Sequence, residues 1–244
     1  IFPTGCSLPE LVAIVCGKNS VRAFRLFVAS CVFLPPIFLA MAARTLAQRW
    51  SAAMLAWRLG VAWVWISWPT IYVIWGMAPF VMGITSSLWG ATLLAHWLDT
   101  RSRGSLVAGV LVATLATIAH PCAPVILTVM LLPAYSACVR TLSWREHVIA
   151  WFVPLFVFAC WTPWWLPALC LKDTFGTTAS GFVNENILGR LQELARAEFP
   201  EETALLVAGI ASVGPLWGIG RAKFFAVAVG LAGFFVITYF GSAV

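Results

Sequence analysis

Residues 105–138, "SLVAGVLVATLATIAHPCAPVILTVMLLPAYSAC", contain no titratable charge except His120. One helix over this run would rise about 51 Å at 1.5 Å per residue, against a bilayer hydrocarbon core of about 30 Å. Pro121 and Pro124 sit in its middle. A residue before proline avoids the helical region, and proline suits the first turn of a new helix. The run therefore reads as two short helices joined by a turn at His120–Pro121.

Composition says which solvent such a hairpin meets. The chain has 244 residues, 61% of them hydrophobic and only 10% charged, whereas soluble domains carry roughly 25% charged residues. Several further runs reach the roughly 18 apolar residues of a membrane span. The expected fold is all-α: a polytopic membrane protein with about eight transmembrane helices. One of its devices is a broken-helix hairpin at His120–Pro121, and another is an amphipathic outer-face helix. Residues 1–244 form a single transmembrane domain, with spans at about 23–43, 51–67, 78–98, 148–169, 203–219 and 224–242 besides the hairpin. Pro35-Pro36 should kink the first span. Residues 1–22 read as an outer-face interfacial segment and 172–202 as an outer-face polar loop. In that loop Ile187, Leu188, Leu191, Leu194 and Ala195 recur at helical spacing. The first ten residues lack the pattern of a signal peptide, and the chain ends inside an apolar run, so it reads as an internal piece of a longer protein.

Charge orients the spans. The net charge is +6 and the pI near 9.2, but the arginines are scattered singly or in pairs between apolar runs. That is the positive-inside pattern and not a nucleic-acid face. Loops 44–51, 99–104, 139–147 and 220–223 share the cytoplasmic side only if 105–138 crosses twice, so charge parity and helix length agree on the hairpin. "SWPTIYVIWGM" and the acidic 172–202 loop then fall outside, and the Lys18, Arg22, Arg25 cluster is a basic exception on that outer face. Seven cysteines show no C-x-x-C pair and no Cys/His ligand spacing. They read as small hydrophobes, with Cys6–Cys16 or Cys122–Cys170 the bridges that the outer face would allow. No cofactor is indicated, and no metal.

The turn should lie below the outer interface, because residues 105–119 rise only about 22 Å. Irregular backbone at that depth must face protein or a water-filled recess. His120 then either lines an anion-accepting site at a helix N-terminus or merely caps the helix. Lys18, Arg22 and Arg25 either bind phosphate at the membrane edge or close an interfacial helix. Asp173 is a carboxylate on the same face, and a general base must reach its proton directly or through one water. Arg58 either snorkels to the basic interface or is held inside. "WTPWWLP" reads as an interfacial aromatic belt or a sugar-stacking platform.

The order of motifs resembles the GT-C superfamily of integral membrane glycosyltransferases. The motifs are "FPTG" at Phe2–Gly5, "WGMAPFVMG" at Trp75–Gly83, "IAHP" at Ile118–Pro121 and "WWLP" at Trp164–Pro167. The resemblance covers about residues 2–170. It implies a bacterial or archaeal cytoplasmic membrane, a polyprenyl-phosphate-linked sugar as donor, and a glycan or lipid acceptor on the non-cytoplasmic face. The implied catalytic acid belongs to a first outer loop preceding residue 1, so no catalytic residue is carried onto this chain. His120 matches a motif position, and the cluster Lys18, Arg22 and Arg25 gains a motive, since a lipid phosphate needs cations. The competing readings are a membrane transporter or permease, which would show paired broken helices in internal repeats, and a noncatalytic scaffold of polysaccharide assembly.

Overall fold

The computed structural model describes residues 20–66, 78–120, 123–160 and 220–229, with residues 162, 166 and 170. Lys18, Asp173, the amphipathic helix expected in 172–202 and the span expected at 203–219 lie outside the described residues. The helices are α1 (Ser20–Ala47), α2 (Trp50–Ile66), α3 (Ala78–Thr100), α4 (Arg103–Ala119), α5 (Ala123–Cys138) and α6 (Trp144–Cys160). A 3-10 turn, Val139–Thr141, links α5 to α6, and residues 221–229 form a further helical stretch, α7. No strand occurs among the described residues. The described residues are all-helical, as the sequence led us to expect.

The run 105–138 is a reversal. α4 ends at Ala119 and α5 begins at Ala123. Arg101, just before α4, donates to the carbonyl of Thr141, just after α5, at 3.2 Å, so the two helices return to one end. α1 and α3 run in the same direction, because Cys31 meets Met82 at 3.9 Å and Phe38 stacks on Trp89 at 5.6 Å. α2 comes back along α1, with Gly60 against Pro36 and Leu39. The helices therefore alternate up and down. Arg44, Arg49, Arg101, Arg103, Arg140, Arg145, Arg221 and Lys223 gather at one end, and His120 lies at the other.

α3 is the centre of the bundle, packing on α1, α4 and α5. Its stretch from Val81 to Ser87 is buried all round, as is Gly90 to Ala95. Such a helix needs small residues where neighbours approach. A Cβ added at Gly83 would lie 2.6 Å from the His120 Cβ, and one at Gly90 3.2 Å from the Ala113 amide nitrogen. On the facing helix, a Cβ at Gly109 would lie 2.8 Å from Leu94 Cγ. These three contacts make α3 and α4 a close-packed pair of the small-residue type. The doubled proline lies inside α1, which continues through Pro35 and Pro36. Pro35 is buried, and Gly60 lets α2 come up against Pro36.

Apolar side chains cover the outside of the bundle as well as filling its core. Thr85, Ser86, Ser87, Thr92 and Thr117 are buried, while Phe33, Leu55, Leu59, Leu111, Phe152 and Leu155 are exposed. The buried hydroxyls are satisfied locally, as in Ser87 Oγ donating to the Gly83 carbonyl at 2.6 Å and Thr85 Oγ1 to that of Val81 at 2.8 Å. Among the described residues one helix, Arg25–Ala47, is long and apolar enough to cross a membrane, and Arg103–Ala119 and Ile126–Thr141 are shorter apolar helices.

The α3–α4 seam makes a direct prediction. Gly90→Val should destabilise the protein by about 1–3 kcal/mol, the usual cost of overpacking, because its Cβ meets backbone. Leu111→Ala on the outward face of α4 should leave the melting temperature within about 2 °C. Thermal unfolding of the two variants in detergent measures both.

Candidate functional site at the His120 end

His120 is where α4 stops. It has an extended backbone, φ −157° and ψ 140°, as the following proline demands. Its N–H donates to the Ala116 carbonyl at 3.0 Å, and its own carbonyl accepts from the Ala123 N–H at 3.1 Å. The backbone of this one residue thus closes one helix and opens the next. The half-buried imidazole lies edge-on to Phe80, with ring centroids 5.0 Å apart. Its Cβ fills the space that Gly83 leaves. Of the two readings of His120 from the sequence, the cap on α4 is the one seen here.

Arg22 and Arg25 occupy the first turns of α1 and are exposed. Phe27, immediately after them, packs with Met82 and Ala119, so both arginines belong to the same end as His120. The structure brings these three sequence candidates to one end; Lys18 and Asp173 lie outside the described residues. Asp99 and Glu146 are the carboxylates of the described residues, and both lie at the opposite end. The titratable candidates described at the His120 end are therefore Arg22, Arg25 and His120.

The opposite end holds polar groups that the sequence reading used only for topology. Arg101 sits at φ 61° and donates its N–H to the Trp97 carbonyl at 2.7 Å, a left-handed cap closing α3. Its guanidinium pairs with Glu146 at 2.8 Å. Glu146 accepts the Ser143 amide at 2.6 Å and the Ser143 hydroxyl at 2.8 Å. Ser143-x-x-Glu146 is the capping-box spacing, a signal present in the sequence and overlooked. The Ser143 amide and hydroxyl, then Arg101, hold the Glu146 carboxyl below its usual range. Asp99 accepts the amides of Ala222 at 3.0 Å and Lys223 at 3.2 Å, capping α7 from 123 residues away. Lys223 is only 6% exposed, and burial holds its ammonium below the usual lysine range while Asp99 opposes that shift. Tyr135 joins His147 Nδ1 at 2.8 Å and accepts from the Trp151 indole at 3.2 Å.

Among the described residues no group of three or more His, Cys, Asp or Glu could hold a metal ion. Cys170 carries a free thiol, so the Cys122–Cys170 bridge that the outer face would allow is not formed; Cys31, Cys138 and Cys160 are free as well. Neither family models, nor curated proteins, nor solved structures give a match to the chain.

Two variants test the caps. Glu146 has a depressed folded pKa, so its stabilisation is complete above the ordinary value of 4.5 and is lost as pH falls through the lowered one. Thermal unfolding of Glu146→Gln between about pH 7 and pH 3 should show a lower melting temperature at neutral pH and a flatter acid limb. Asp99→Ala should cost about 1 kcal/mol, the worth of a helix cap, and Asp99→Asn should recover most of it. Equal losses in the two Asp99 variants would mean that the charge facing Lys223, and not the cap, carries the effect.

Proposed function

We propose that the chain is the membrane-embedded part of a glycosyltransferase-like protein that receives a polyprenyl-phosphate-linked sugar at its His120 end, on the non-cytoplasmic face. The observation that carries this reading is the meeting of two motifs of the GT-C resemblance. Phe80 and Gly83 of "APFVMG" are the residues against which His120 of "IAHP" packs, although nearly forty positions separate them. A resemblance scattered along a sequence by chance gives no reason for its pieces to touch.

The bilayer setting is supported by the apolar exterior of the bundle. Large apolar side chains cover its outside, while Ser, Thr, Gly and Ala fill the seam between α3 and α4, as expected where lipid replaces water. The basic junctions would then face the cytoplasm, and the remaining spans of the eight-helix reading belong to the same proposal.

Glycosyl transfer from a lipid phosphate breaks the bond between the anomeric carbon and the phosphate oxygen, and the phosphate leaves with its charge. Cations aimed at that oxygen lower the barrier. Arg22 and Arg25 would hold the phosphate at the membrane edge, and His120 would donate a hydrogen bond to it or to the sugar. The general base that activates the acceptor is assigned to no residue of this chain.

Full-length protein in proteoliposomes, supplied with a polyprenyl-phosphate sugar, tests the reading. His120→Ala should lower turnover roughly 10- to 100-fold, the worth of a charge-assisted hydrogen bond, with expression unchanged. Arg25→Ala should act mainly on KM. Normal turnover in His120→Ala would return that residue to a purely structural role. Cysteine labelling should place positions 101 and 140 together inside and position 120 outside, and opposite labelling of 101 and 140 would overturn the hairpin topology.

A further inference from the structure

A cavity of about 360 Å³ opens between α3, α5 and α6, within the size range of ligand sites. Leu94, Leu127, Leu131, Val153 and Val157 give it an apolar wall. It extends along α5 from Pro124, near the His120 end, to Tyr135, near the arginine end. Eleven residues of helix make that about 16 Å. On the α6 side it is bordered by Trp151, Leu155 and Phe158, all exposed, so the cavity opens sideways from the bundle.

Three of the polar side chains along this wall are engaged within the protein. The Thr128 hydroxyl donates to the Pro124 carbonyl at 2.7 Å. Trp151 donates to the Tyr135 oxygen, which is in turn hydrogen-bonded to His147 Nδ1. Leucine, valine and alanine side chains make up most of the remaining wall, which offers a polar ligand little to replace its hydration. The wall suits hydrocarbon.

The arginine end suits an anion. His147 belongs to this end, joined through Nδ1 to the Tyr135 hydroxyl of the cavity wall at 2.8 Å. Arg140 and Arg145 are exposed on either side of the α5–α6 turn, and the Glu146 charge is matched by Arg101. Trp144, 79% exposed at the start of α6, suits the interfacial zone of a bilayer. From this juxtaposition we infer that the cavity holds an acyl chain of an anionic phospholipid, whose phosphate is bound by His147, Arg140 and Arg145. The inference rests on the membrane reading and is independent of sugar transfer.

The test uses the full chain in phosphatidylcholine vesicles doped with phosphatidylglycerol carrying a photoactivatable diazirine on one acyl chain. Adducts should concentrate on peptides of α5 and α6 that line the cavity. Unlabelled phosphatidylglycerol should compete several-fold better than phosphatidylcholine. Leu131→Trp, which fills the cavity, should reduce these adducts several-fold. The exposed pair Arg140→Ala and Arg145→Ala should reduce them without altering the fold. Unchanged yield in both variants, adducts spread evenly onto the outer face of α2, or equal labelling by a phosphatidylcholine diazirine would each overturn the inference. Protein that alkaline carbonate strips from the vesicles would overturn the membrane reading and this inference together. Protein that stays embedded without cavity adducts would overturn this inference alone.

Discussion

The structure depends on how closely α4 lies against α3. Three glycines allow it: Gly83 under His120, Gly90 under Ala113, and Gly109 under Leu94. A side chain at any of them would push the helices apart, and the consequences would not stay local. Separation at Gly83 would free His120 from Phe80. Separation lower down would displace the buried stretch around Ala91 and Leu94, against which Leu127 and Met130 of α5 pack in the same core. The bundle has little else with which to hold these helices, since its buried Ser and Thr hydroxyls bond within their own helix and link nothing across the seam. Dispersion between closely approaching backbones is the cohesive force that remains.

The polar contacts that do cross between elements are concentrated at the arginine end. Arg101 to Thr141 and Glu146, and Asp99 to the amides of Ala222 and Lys223, tie together segments 40 to 124 positions apart. Each is also a helix-end device: a left-handed cap, a capping box or a remote cap. Helix ends leave backbone groups without partners. At this end those groups are satisfied by side chains of other helices, so capping and tertiary docking are one set of bonds. Arg101 is suited to this, because the left-handed backbone that ends α3 also aims its guanidinium at the α5–α6 turn.

Much of the fold was legible in the sequence because its strongest signals are lengths. A 34-residue apolar run cannot be one span, and His120-Pro121 names the break. Helix boundaries at Ala78, Ala119 and Ala123 follow from where charge and proline sit. Pro35-Pro36 did not end α1, and nothing in the sequence signalled that Gly60 of α2 would pack against them. Of the candidate site, His120, Arg22 and Arg25 were named from chemistry, and only the register of α1 against α3, seen at Cys31 and Met82, puts them together. Asp99 and Lys223 were legible only as loop charges, because a cap supplied across 123 positions leaves no pattern in the local sequence. Ser143-x-x-Glu146 did leave one.

These two ends differ in how their charge is spent, and that difference orders the functional argument. At the arginine end both described carboxylates are engaged, Asp99 on amides and Glu146 on Ser143 and Arg101. Their work is structural, and a catalytic proton transfer there would have to break a cap. At the His120 end the described groups are cations and an imidazole, and the His120 backbone is fully satisfied by Ala116 and Ala123. The hydrogen bonds that close α4 and open α5 belong to the His120 backbone, so a residue that only stops α4 before Pro121 need not be a histidine.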